Sequence, residues 1–303
     1  MTDVLRQVIQ RRPWFGLLMG FFFLINGIML SLLILESAGY ISVLGDPASA
    51  LAAPHLFKMA QAMYQLMSYG LAGMLMLWLG AMPGALLEPS RVRGEAYPLA
   101  AGILLSAIPL TILVTFTPEM FHLPARWQAL EQALREQELL TSRIFEGLMI
   151  QPDLVPMLAN LVTFSLIPAC CEEIFFRGFL QHQMSRLVPV WAAILITSLI
   201  FSFLHFQVYG LIARAILGAL LGWIAWRTGS LLPGIAAHAV FNGFSVVMAW
   251  MAARNPALEA IVAADAGQVP VWIQLVALTA AVLLCLRLHI RFLPPTADAT
   301  HVE

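Results

Sequence analysis

Charge is scarce in this sequence. Asp, Glu, Lys and Arg together make up 11% of its 303 residues, against about 25% in an ordinary soluble domain. With 60% hydrophobic residues and a mean hydropathy of +0.84, the composition excludes a water-soluble globule, and apolar runs of about twenty residues mark membrane spans. A surplus of positive charge is missing too. The net charge is −1, so no basic surface points to nucleic acid. Cysteine is confined to Cys170, Cys171 and Cys285, all in apolar segments, and no CxxC pair occurs. That argues against a disulfide framework and against structural zinc held by thiolates. Neither HExxH nor an internal repeat is visible.

What is present is a series of apolar segments. Arg6, Arg11 and Arg12 precede a run from Trp14 to Leu35, longer than the roughly 7 to 15 apolar residues of a cleaved signal, so it is expected to remain as a first span. Further spans are predicted within Met63–Leu87, from Tyr97 to Phe116, from Val155 to Arg186, from Val188 to His205, from Tyr209 to Trp226 with Arg214 inside it, from Leu231 to Met251, and from Val271 to Leu288. The segment 36–54 is expected as a loop, as is the one holding Arg254, Glu259 and Asp265. Between the third and fourth spans, Ala125–Ile150 carries a stripe of Trp127, Leu130, Leu134, Leu140, Ile144 and Leu148 opposite Glu131, Arg135, Glu138 and Arg143. That pattern suits a helix lying on the membrane or packed over the bundle; its plain use is a connection, its sharper use a cap over a site. The expected fold class is all-α, a polytopic membrane helix bundle of about eight transmembrane helices with one amphipathic interfacial helix. Its parts are residues 1–154, a core at 155–252, and residues 253–303 with the last span and a tail. Basic residues collect on the cytoplasmic side, and Arg6, Arg11, Arg12, Arg91, Arg93, Arg186, Arg227, Arg287 and Arg291 then put both termini in the cytoplasm, with the bacterial inner membrane as the expected location.

Within these segments, a few polar residues stand out. Glu172 and Glu173 turn to neighbouring faces of a helix, while Glu173 and Arg177, four apart, share one face and pair. Each such group costs on the order of 2.5 to 3.5 kcal/mol inside a membrane helix and therefore marks a functional site or, more plainly, a packing lock. Pro168, four residues before Glu172, removes a backbone hydrogen bond and predicts a kink. His205 ends the fifth span, and His238 and Asn242 share a face of the seventh. A carboxylate beside a second carboxylate, with histidine near it, suits a general base acting on water. His and Asn donors on one face suit the oxygen of a tetrahedral intermediate.

The order EExxxR, FxxxH and HxxxN, carried here by Glu172, Glu173 and Arg177, then Phe201 and His205, then His238 and Asn242, resembles the CPBP family of intramembrane proteases. That family includes the type II CAAX prenyl endopeptidases and bacteriocin-processing or immunity proteins. The turn at Arg227, Thr228, Gly229 and Ser230 and Pro233 fit the same pattern. The resemblance implies cleavage of a peptide bond in or beside the membrane, with Glu172 activating water, His205 assisting, His238 and Asn242 forming an oxyanion site, and Glu173 and Arg177 in support. It implies no metal cofactor; the alternative is a zinc protease using Glu172, His205 and His238, and a different class would be a non-catalytic scaffold or transporter. The expected partners are a peptide or membrane-protein substrate and the lipid bilayer, with the oligomeric state left open. One tension stands. Counted along ideal helices, His238 comes out shallower than Glu172 and His205 deeper, so the fifth helix must begin outside the hydrocarbon or tilt.

Overall fold

A computed structural model describes residues 2–115, 122–149, 153–255, 257–258 and 270–292. The described chain is helical, with no strand. In order it forms α1 (Thr2–Arg11), α2 (Pro13–Ser37), α3 (Ser42–Gly45), α4 (Pro47–Ala52), α5 (Pro54–Gln65), α6 (Leu71–Trp78), α7 (Ala96–Ser106), α8 (Ile108–Leu113), α9 (Gln128–Met149), α10 (Leu154–Leu161), α11 (Ile167–Glu173), α12 (His182–Ser185), α13 (Val190–Phe203), α14 (Leu211–Thr228), α15 (Leu232–Ala252) and α16 (Val271–Arg291). Three π-helical stretches join successive pieces, at Leu66–Gly70, Val162–Leu166 and Ile174–Gln181.

Six helical segments among the described residues are long and apolar enough to cross a membrane: Pro13–Ser37, Ala96–Leu113, Leu154–Ser185, Leu211–Thr228, Leu232–Ala252 and Val271–Arg291. The other two predicted spans each lack one requirement. Residues 54–78 form an unbroken helical run, but its first half carries Lys58, Gln61 and Gln65; α13 is apolar but only 14 residues long. The second span also lies earlier than its predicted bounds. It ends at Trp78, where Gly80 at φ 72° lets the Gly80 amide bond the Leu77 carbonyl and the Ala81 amide the Met76 carbonyl, a paired closure that needs a left-handed residue.

The expected loop at 36–54 holds two short helices instead. Asp46 caps α4, accepting from the amides of Ala48 at 3.3 Å and Ser49 at 2.9 Å, and Pro47 occupies the first helical position. These bonds, above all those from Ser49, hold the Asp46 carboxyl below its ordinary range. The amphipathic segment forms α9. It is anchored at its C-terminal half, where Ile144 and Leu148 pack with Ala50, Phe57, Met157, Phe164 and Val246 and buried Asn160 donates to the Leu148 carbonyl at 2.8 Å. Phe116, Ile150, Glu259, Asp265 and the tail from 293 lie outside the described residues.

Two apolar clusters hold the bundle. One gathers Phe175, Phe176, Phe179 and Phe201 with α2 and α6; the other joins α7, α14, α15 and α16. The first depends on glycines of α2. A Cβ on Gly20 would fall 2.1 Å from the Phe179 ring, and one on Gly27 would fall 2.0 Å from the Met67 carbonyl oxygen. Backbone cannot yield as a side-chain tip can, so Gly27→Ala is expected to destabilise by about 1 to 3 kcal/mol, read as a lower thermal midpoint in detergent. Gly45, where a Cβ meets nothing within 4 Å, is the control, and Gly45→Ala is expected to leave the midpoint in place.

Candidate active site

The site is built on the fourth span, which runs without a break from Leu154 to Ser185. Pro168 has no N–H to give the Phe164 carbonyl, and the π turn at Val162–Leu166 directly before α11 absorbs the lost bond. The expected kink site is therefore a change of helical register. Glu172 and Glu173 end α11 and Arg177 lies inside the following π stretch. All three are buried, at 4%, 0% and 3% exposure.

Arg177 pairs with Glu173 as its spacing predicts, Nη1 donating to Oε1 at 2.8 Å. Its Nη2 donates to the Gly218 carbonyl of α14 at 3.0 Å, and its guanidinium lies 4.6 Å from the centre of the Phe201 ring of α13. One turn on, Gln181 Nε2 donates to the Gly222 carbonyl at 3.0 Å. The two polar side chains thus grip two glycine carbonyls of α14, four residues apart. A Cβ on Gly222 would lie 2.5 Å from Gln181 Oε1.

His238 joins the two carboxylates. Its Nδ1 is 2.9 Å from Glu173 Oε1 and its Nε2 is 3.8 Å from Glu172 Oε2. Because Glu173 is already the partner of a guanidinium, it acts as acceptor, Nδ1–H donates, and Nε2 is left to face Glu172. α15 starts against the fourth span: Leu231 packs at Gly178, where an added Cβ would come 2.9 Å from Leu231 Cδ1, and Ser230 and Leu231 bond the Leu86 carbonyl. His238 therefore needs few residues of helix to reach Glu173.

His205 lies just past the end of α13, in the turn before α14. Its Nδ1 is 2.8 Å from the Phe201 carbonyl oxygen, and it is within electrostatic range of Glu172 and His238. The Phe201 ring sits between the imidazoles, 4.8 Å from His205 and 6.2 Å from His238. Asn242 is half-buried one turn beyond His238 on α15; among the described residues no hydrogen bond joins it to the others. The structure thus brings Glu172, Glu173, Arg177 and His238 into direct contact or near it, sets His205 beside them, and keeps Asn242 a turn away.

One member has no motif. Gln65, at the end of α5, donates from Nε2 to Glu172 Oε1 at 3.1 Å, so the glutamate without a partner in its own helix has one from the second span. Gln65 is 7% exposed and its Oε1 has no partner. The only signal in the sequence was a glutamine inside an apolar segment. Gly70 and Gly73 hold this segment against α11 and the π stretch that follows it, where added Cβ atoms would meet Cys171 Sγ at 3.0 Å and Ile174 Cγ2 at 2.8 Å. Among the described residues, no three His, Cys, Asp or Glu side chains converge as a metal site.

Removing one member of a buried ion pair strands the other. Arg177→Leu is expected to cost about 3 to 5 kcal/mol, and the double change with Glu173→Leu to recover more than half of it, both measured by denaturant titration of the purified protein.

A comparison with known protein families finds a match, over residues 154–244, to the model described as type II CAAX prenyl endopeptidase Rce1-like. No curated protein and no solved structure matches the chain. The matched stretch, from the start of α10 to the middle of α15, is similar to the Rce1-like family and holds Glu172, Glu173, Arg177, His205, His238 and Asn242, within an integral membrane helix bundle.

Proposed function

We propose that the protein is a glutamate-dependent intramembrane endopeptidase that hydrolyses a peptide bond in or next to the bilayer. The observation that carries this reading is the 3.8 Å separation of Glu172 Oε2 and His238 Nε2, which lets one water lie within hydrogen-bond distance of both. Glu172, with one oxygen engaged by Gln65, keeps the other free for that water. The water oxygen attacks the carbonyl carbon while Glu172 takes its proton, then passes it to the amine nitrogen as the C–N bond breaks. His205 shares the water. His238, oriented by Glu173, and Asn242 donate to the oxygen of the tetrahedral intermediate. Arg177 holds Glu173 in place.

The zinc reading would take Glu172, His205 and His238 as its ligands. Metal analysis of the purified protein and activity in phenanthroline separate the two; stoichiometric zinc with loss of activity overturns the metal-free mechanism. We also place both termini on the cytoplasmic side of a bacterial inner membrane, because the arginines flanking the spans collect there; reporter fusions at each terminus test it.

Glu172→Gln is expected to lower cleavage of a library of internally quenched peptides, prenylated and unprenylated, by about 10² to 10⁴-fold, with expression and thermal midpoint unchanged. Equal membrane proteomes in cells with wild-type and Glu172→Gln protein would favour a scaffold or transporter. Asn242→Ala is expected to lower kcat by about 10² to 10³-fold with little change in KM, measured on whichever library peptide is cleaved.

A further inference from the structure

The turn that carries His205 has features that the hydrolytic reading leaves unused. It lies between α13 and α14 and contains Phe206 at φ 53°, the one non-glycine residue with positive φ among the described residues. A bulky residue in that conformation persists only where its surroundings over-determine it. Arg214, in the first turn of α14, supplies the constraint. Its Nη1 donates to Gln207 Oε1 at 3.1 Å and its Nη2 donates to the Gln207 carbonyl. The guanidinium lies over Gly210, where a Cβ would come within 2.5 Å of Nη1. Below it, Ser202 Oγ donates to the Leu211 carbonyl at 2.6 Å and closes the base of the turn.

Helix stability gives Arg214 no reason to be there. A cation in the first turn sits at the positive end of the helix dipole, and a guanidinium in an apolar span is costly to insert. Glu138 of α9 is within electrostatic reach of Arg214. The Arg214 charge also reaches His205. Since the Phe201 carbonyl occupies His205 Nδ1, the free nitrogen is Nε2, and the shape of the turn decides where it faces.

We propose that Arg214 is a positioning residue: by its forked grip on Gln207 it holds the 204–210 turn in the one shape that keeps His205 beside Glu172 and His238. The proposal rests on the reading of His205 as part of a hydrolytic site, but its test needs no turnover. The full-length protein in detergent is pulsed with diethyl pyrocarbonate, and carbethoxylation of His205 and His238 is quantified in the same molecules by peptide mass spectrometry. Arg214→Gln is expected to raise the His205 rate by about tenfold relative to His238, the equivalent of losing one charge-assisted hydrogen bond. Arg214→Lys keeps the charge but spans only one of the two acceptors, and is expected to raise it about threefold. An unchanged ratio in either folded variant overturns the proposal, and so does an equal rise at both histidines, which would be general loosening. If Arg214→Gln does not fold, Arg214→Lys decides alone by the same ratio. A changed ratio in a protein that cleaves no library peptide counts against the proteolytic reading and leaves the positioning role standing; an active wild type with an unchanged ratio does the reverse.

Discussion

A single buried carboxylate, Glu173, organises the centre of this bundle. One of its oxygens accepts from Arg177 of its own span and from His238 of α15, and Arg177 goes on to α13 through Phe201 and to α14 through the Gly218 carbonyl. Four helical segments are thus indexed to one ion pair with almost no exposure. Ionised groups in such surroundings hold a unique arrangement only when each has its partners, and the glycines of α14 exist at that level so that backbone carbonyls come close enough to serve.

The consequence for chemistry is a division of labour between adjacent residues. Glu173 binds both Arg177 and the His238 imidazole through Oε1. Glu172, one position earlier and facing another way, is held by Gln65 through one oxygen and lies open toward His238 Nε2. Two identical side chains differ in role because a helix turns about 100° per residue. The amino-terminal helices, outside the Rce1-like segment, belong to this arrangement: α5 supplies Gln65, and Gly27, Gly70 and Gly73 let α2 and the second span pack closely enough to deliver it.

Much of this was legible in the residues themselves. Charged groups in apolar runs are rare enough to be informative, so Glu172, Glu173, Arg177, His205 and His238 announced themselves, and the four-residue spacing of Glu173 and Arg177 foretold their bond. Gln65 did not, because a neutral amide near the polar start of a helix carries no periodic signal. The meeting of His238 with Glu173 could not be read from ideal helix rises, since the π stretches of the fourth span and the packing of Leu231 at Gly178 and Leu86 are set by tertiary structure. The short helices at 42–52 were masked by Gly, Pro and Asp, residues that signal loops in bulk, although Asp46 followed by Pro47 is also a helix start. The span count fell short of confirmation at the two segments where length and apolarity disagree.

The shortness of α13 bears on His205. Fourteen residues of helix span about 21 Å, well under the roughly 30 Å of a bilayer's hydrocarbon layer. α13 therefore gives way, after Phe203, to the turn that carries His205 at a length where a full span would still be helical.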